Sequence, residues 1–181
     1  LYNPGEKWSY GINMDILGCV VEVVSGLNFA QYLQENIFDP LKLNSMGFAV
    51  KAKDNNSFTT LYTSGLFSRD GEIIGAAGVN PEDLMFSKEL RQIDPYLKSP
   101  YQSNTSKLYD GGSGLVSNID DYAQFALMLM NKGELNGVRI LTESSVELMS
   151  KNHLSDSVLS DGAAFGLDGI GFGLTMAVVE D

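Results

Sequence analysis

Apolar residues near the start of the chain fall at helical spacing. Ile16, Leu17, Val20, Val21 and Val24 predict a helix over residues 14–25. Asn13 stands at the expected N-cap, Asp15 lies in the first turn where the helix dipole favours an acid, and Ser25-Gly26 closes the run. A second helix is predicted over residues 28–38, with Phe29, Tyr32, Leu33 and Ile37 on its apolar face and Asp39-Pro40 as its stop. Two helices joined this closely read as an αα-hairpin on a shared core.

The pattern weakens over residues 50–110. Asp54-Asn55-Asn56 and Asp70-Gly71 are turn signals, the second suited to a hairpin between short strands. Asn80 followed by Pro81-Glu82-Asp83 predicts the start of a short helix. Pro95, Pro100 and the polar run from Gln102 to Ser106 read as irregular loop. From Gly111 the signals sharpen. Gly111-Gly112-Ser113-Gly114 is a tight turn, and Asn118 caps a helix through Asn131 with Asp120 and Asp121 in its first turn. Gly133 ends that helix beyond Lys132. Tyr122, Phe125, Ala126 and Leu129 make one face, and the added Leu127, Met128 and Met130 predict burial nearly all round. Glu134 to Gly137 reads as a turn, Val138 to Leu141 as a short strand, and Thr142 as the cap of a last helix with Glu143 in its first turn. Residues 170–179 read as one strand.

Composition sets limits on partners. The 181 residues suffice for one domain with a sizeable core. A formal net charge of −11 argues against a nucleic-acid partner, which needs Lys and Arg on its phosphates, and against an anionic membrane surface. The apolar runs are far too short for a membrane span. Cys19 is the lone cysteine, so no internal disulfide forms. Within Ile16 to Val21 it reads as a small buried hydrophobe. The chain opens at Leu1 without a starting Met and is expected to begin inside a longer protein.

Four segments, in order, resemble one family. They are Pro4 to Tyr10 (PGEKWSY) running on to Asp15-Ile16-Leu17-Gly18 and Glu22 to Gly26; Ile37 to Leu41 with Leu43 to Phe48; Gly111 to Ser117 with Asp121-Tyr122; and Gly133 to Leu141. The series is similar to the serine β-lactamase-like hydrolases, above all the penicillin-binding-protein-like esterases close to class C β-lactamases. The resemblance implies an α+β, β-lactamase/transpeptidase-like fold. Residues 1–165 would form the helical lobe and its return, and residues 166–181 the first strand going back into the antiparallel sheet. It implies acyl transfer on a small-molecule ester, amide or β-lactam, with no metal or organic cofactor.

The family uses a Ser-x-x-Lys nucleophile motif, a tyrosine that moves protons, and a Lys-Thr-Gly-type strand. Only Tyr10 carries over, as the catalytic tyrosine, from the Trp-x-Tyr that leads into the first helix. A phenol near pKa 10 is a poor base at neutral pH, and nearby cations favour its phenolate. Ile12 stands where Tyr-x-Asn places Asn, which favours the esterase branch. No Ser-x-x-Lys occurs in these residues, nor a Lys-Thr-Gly after the last strand. The chain alone is therefore expected to be inactive, and the open edge of its C-terminal strand to promote self-association. A non-catalytic binding or regulatory protein that reuses the fold stays open as the alternative. The compartment, cytoplasmic or periplasmic or secreted in a bacterium, is left open too.

Other chemistry fits less well. A serine triad would need His153, which instead follows a helix whose C-terminus favours a cation. One His and one Cys are too few for zinc. Asp120 and Asp121 are better explained by the helix start than as a carboxylate pair, and the glycine turn at 111–114 lacks the lysine of a phosphate loop.

Overall fold

The computed structural model describes residues 3, 6–9, 11–60, 62–64, 90–92, 109–159 and 170–179. The chain divides into two units, Leu1–Phe48 with Lys107–Asp181, and Ala49–Ser106.

The first unit opens with α1, Asn13–Ser25. The cap position falls on Ile12 rather than Asn13, one residue earlier than expected, and no side chain caps the helix. The Ile12 carbonyl accepts the amides of Asp15 and Ile16 instead. At the other end Gly26 takes φ +72, the left-handed conformation glycine adopts without a Cβ penalty. The Glu22 carboxylate then reaches across the bend and accepts the Phe29 amide at 2.7 Å, while Asn28 caps α2, Phe29–Leu33, through the Gln31 amide. The two helical runs meet at 80°, a corner rather than the expected hairpin.

Asp39-Pro40 does not stop the second run. A π-turn at Gln34–Phe38 leads directly into α3, Asp39–Leu41, which contains the proline. Proline lacks an amide and its ring crowds the carbonyl four residues back. The wider π-turn, in which the Asp39 amide bonds the Gln34 carbonyl, relieves that crowding. The stop comes at Lys42, which is left-handed at φ +58.

The core gathers here. Phe38, Leu41, Leu43 and Met46 pack with Met128 and Leu135, and Phe125, Leu129, Val138 and Ile140 close around them. Met128 and Leu135 come from α4, Ile119–Met130, and from the hairpin that follows it. Asn118 caps α4 by accepting the Asp121 amide, as its sequence predicts. Burial all round α4 does not hold. Met128 is fully enclosed, while Ile119, Tyr122, Leu127 and Met130 are exposed.

The end of α4 is a Schellman motif, with Lys132 donating to Leu129 and Gly133 to Met128. The left-handed position is held by Lys132, with Gly133 following at φ +89. Gly133 is buried, and its carbonyl accepts the amides of Ile140 and Leu141. A Cβ there would overlap the Leu141 carbonyl. Gly133→Ala is expected to destabilise the chain by about 1–3 kcal/mol by overpacking, read as a shift in the urea midpoint.

The segment from Glu134 to Leu141 is a hairpin rather than a turn followed by a strand. Strand β3, Glu134–Leu135, pairs antiparallel with β4, Val138–Arg139. Asn136 and Gly137 both carry positive φ, as a type I′ turn requires. Thr142 caps α5, Glu143–Ser150, through the Ser145 amide, as expected. A short helix α6, Asp156–Leu159, follows.

The stretch from Ile170 to Val179 is also a hairpin, not one strand. Strand β5, Ile170–Phe172, pairs with β6, Ala177–Val179, in register Ile170↔Val179. The other side of β5 is engaged as well. The Phe172 carbonyl accepts the His153 amide at 2.9 Å, and the Asn152 side chain accepts the Phe172 amide at 3.0 Å. Cys19 lies exposed on α1, against its expected burial.

The second unit holds a 3₁₀ turn at Ala52–Ser57, over the predicted Asp54-Asn55-Asn56 turn, and the antiparallel pair β1, Tyr62–Ser64, with β2, Leu90–Gln92. The expectations placed on Asp70-Gly71, Pro81 to Asp83, Pro95, Pro100 and Gln102 to Ser106 lie outside the described residues.

Candidate functional site

Tyr10 lies outside the described residues, and its surroundings are built from its neighbours in the chain. Before it, Asn3 and Glu6 close a turn. The Glu6 carboxylate accepts the Asn3 side-chain amide at 2.8 Å and the Asn3 backbone amide at 2.9 Å. These bonds, the side-chain one first, hold the Glu6 carboxyl below its usual pKa. Trp8, two residues ahead of Tyr10, stands with its ring 4.9 Å from that of Phe172 on β5. After Tyr10, Gly11 and Ile12 lead straight into α1.

The glycine turn predicted at 111–114 packs on this same end of α1. The Gly112 amide donates to the Asp15 carboxylate at 2.8 Å. A Cβ on Gly111 would overlap the Met14 carbonyl, so only glycine lets the turn approach the helix this closely. Gly18, one turn further on, is buried there, and a Cβ on it would stand 3.5 Å from the Gly111 amide nitrogen. Asp15, read from sequence as a dipole partner, is in addition the anchor of a turn 97 residues away.

Beyond the turn the chain is fixed twice more. Gly47 and Val116 exchange both backbone hydrogen bonds, at 3.1 and 2.8 Å. The Asp121 carboxylate accepts the amide and the hydroxyl of Ser45, at 2.6 and 2.7 Å, and that hydroxyl accepts the Asn118 amide. Asp121 thus ties the start of α4 to the loop after α3, which gives it work beyond the helix dipole. Phe48 lies 4.9 Å from the Tyr109 ring and 6.1 Å from that of Phe29. The result is a glycine turn held against the first turn of α1.

The weighed alternatives find ordinary places. The ring of His153 meets the Leu148 carbonyl near the end of α5 at 2.8 Å, a helix-terminal contact. Asp120 lies in the first turn of α4 beside Asp121.

Comparison with known proteins agrees with the sequence resemblance. A family model described as Beta-lactamase matches residues 1–180. The uncharacterized protein MT1414 of Mycobacterium tuberculosis is 28% identical over 187 residues, covering 100% of this chain and 40% of that protein. The solved structure of unliganded simvastatin synthase (LovD) from Aspergillus terreus superposes with a TM-score of 0.70 at 23% identity, over 98% of this chain and 41% of that one. That of EstCE1, a hydrolase with promiscuous acyltransferase activity, does so with a TM-score of 0.66 at 29% identity, over 100% and 43%. The fold is α+β and β-lactamase/transpeptidase-like, as expected. The chain spans about two-fifths of the length of these relatives.

Proposed function

The chain belongs to the β-lactamase family, and from that premise we propose that the intact protein transfers acyl groups through a serine nucleophile, with Tyr10 as its proton carrier. The observation that carries this reading is the family match across residues 1–180, which includes Tyr10 and the glycine turn anchored by Asp15. The serine oxygen attacks the carbonyl carbon of the substrate, and Tyr10 accepts the proton it loses. The same proton then goes to the departing alcohol or amine, leaving an acyl-enzyme. Water or a second alcohol attacks that ester and restores the serine.

Among ester, amide and β-lactam substrates, esters are favoured. Ile12 replaces the polar residue expected of Tyr-x-Asn, and EstCE1 is described as a hydrolase with promiscuous acyltransferase activity. Residues 1–165 are proposed as the helical lobe and its return, and 166–181 as the start of the path back into the sheet. The 181 residues contain no Ser-x-x-Lys, so the chain by itself supplies the tyrosine but not the nucleophile. The second reading, a binding or regulatory protein on the same fold, is separated from the first by whether the longer gene product carries that motif.

Turnover of p-nitrophenyl butyrate separates these statements. The pure 181-residue chain is expected to match the buffer rate. A longer gene product containing both this chain and a Ser-x-x-Lys is expected to release p-nitrophenol in an initial burst followed by steady turnover. A longer product that carries the motif yet shows neither phase sinks the acyl-transfer reading. Turnover by the chain alone sinks its inactivity.

A further inference from the structure

Phe172 ends strand β5 with a glycine on either side, and successive side chains of a strand point to opposite faces. A Cβ on Gly171 would overlap the Asn152 side chain, and one on Gly173 the Met149 carbonyl. The glycine face therefore lies flush on the end of α5 and the residues that follow it. The backbone of Phe172 is caught by the same segment. The Asn152 Oδ1 accepts its amide at 3.0 Å, and its carbonyl accepts the His153 amide at 2.9 Å. That Asn152 oxygen also accepts the Leu154 amide at 2.9 Å, which fixes the side chain that does the holding. Just past the strand, Leu174 donates to the Met149 carbonyl at 3.0 Å. The Phe172 ring is left to the other face, where it meets Trp8 at 4.9 Å with the planes tilted by 45°.

We infer that Phe172 is a positioning residue for Tyr10 and acts through Trp8. The end of α5 sets β5, β5 aims the Phe172 ring, and the ring steadies the stretch of chain that delivers the tyrosine. Trp8 precedes Tyr10 by two residues, a reach of about 7 Å at most. Two residues after Tyr10, the Ile12 carbonyl is held by the amides of Asp15 and Ile16 at the head of α1. Tyr10 thus stands between two anchored points. The second anchor belongs to the helix it leads into, whereas the first comes from a strand near the other end of the chain. A tilted aromatic pair suits that task, because it fixes the relative placement of two rings as well as burying them. Placement matters for a proton carrier, which must stand within hydrogen-bond reach of the atom it serves, and an error of about 1 Å costs about 100-fold in rate. The inference rests on the acyl-transfer reading, which gives Tyr10 its task, while the contact that carries it does not.

Two measurements test it together. Trp8 is the single tryptophan of the chain, so its fluorescence reports the ring contact without catalysis. In the 181-residue chain, Phe172→Ala is expected to shift Trp8 emission to the red and to raise its quenching by acrylamide. Asn152→Ala is expected to do the same to a smaller extent, and Phe172→Tyr, which keeps the ring, to change neither. The second measurement is single-turnover acylation by p-nitrophenyl butyrate in the longer gene product that carries Ser-x-x-Lys, at saturating enzyme. Its rate constant reads the proton-transfer step and not the amount of folded protein. Phe172→Ala is expected to slow it by about 10–100-fold, and Phe172→Tyr to restore it. Phe172→Leu, which keeps apolar bulk without the ring, carries both measurements if Phe172→Ala does not fold. Trp8 emission that ignores the loss of the ring overturns the inference, and so does a shifted emission with unchanged acylation, which reduces the contact to packing. Slow acylation in Tyr10→Phe but not in Phe172→Ala also overturns it and leaves the acyl-transfer reading standing. Acylation unchanged in both variants removes Tyr10 from the mechanism and the inference with it.

Discussion

Tyr10→Phe is expected to lower kcat/KM of the intact protein for a p-nitrophenyl ester by about 10²–10⁴-fold, the usual contribution of one positioned proton carrier. The substitution removes a hydroxyl and keeps the ring, so packing around the Trp8 to Ile12 segment changes little. A catalytic role and a packing role then part in the kinetics. If the phenol moves the proton in acylation, kcat and kcat/KM fall together and the burst disappears, because the missing interaction is made in the transition state. If the ring only packs, KM and the unfolding midpoint move while kcat stays. A Tyr10→Phe protein with an intact burst and unchanged kcat removes Tyr10 from the mechanism. Asp15→Asn serves as the companion variant. It tests the carboxylate that holds the Gly112 amide at 2.8 Å, and an effect confined to KM would place the glycine turn in the substrate wall.

Features fixed by neighbours in the chain were legible beforehand. Asn118 and Thr142 cap their helices as their positions predict, because a cap needs only a short polar side chain and the amide three residues on. Gly26 ends α1 for an equally local reason. Asn13 missed by one residue because a helix can start from a carbonyl alone, here that of Ile12. The turn inside residues 170–179 stayed hidden for a physical cause. Its left-handed residue is Thr175 at φ +83, a β-branched residue that rarely adopts that conformation, with no Asn-Gly to announce it. Asn136-Gly137 does announce its turn, but the strands beside it are two residues each, too short to show alternation.

The site was less legible, and distance explains why. The Tyr10 assignment came from an ordered series of segments, not from spacing. The bonds that fix the glycine turn and the start of α4 span 76 to 97 residues, Ser45 to Asp121 and Asp15 to Gly112, which no local pattern encodes. The exposed face of α1 has the same origin. Periodicity reports that a helix is apolar, but it does not report which neighbour covers each side. Cys19 was expected to be buried on that pattern and is exposed, since the same pattern fits either side of the helix.

Leu43→Ala is expected to cost about 2–5 kcal/mol, a large part of the stability of a chain this size. Leu43 is 1% exposed and sits among Phe38, Leu41, Met46, Met128 and Leu135. Its backbone is held too, since its amide donates to the Phe38 carbonyl at 2.8 Å as the run through α3 ends. The side chain therefore cannot move away from the space it fills, and truncation leaves a cavity that the neighbours close only in part. Residues 33–46 and 125–140 meet at that point, so the loss falls on the joint between two distant stretches of chain. Met128, fully buried in the same cluster, has more rotatable bonds and a polarizable sulfur with which to refill the gap. A Leu43→Ala, Met128→Ala double variant should accordingly lose less than the sum of the single losses. Val23→Ala on the open face of α1 is the control, expected within about 0.5 kcal/mol of the parent chain. Urea unfolding of the parent chain and the four variants (Leu43→Ala, Met128→Ala, the double variant and Val23→Ala) decides the matter. A Leu43→Ala midpoint that coincides with that of Val23→Ala would mean that the packing around Leu43 does not hold this unit together.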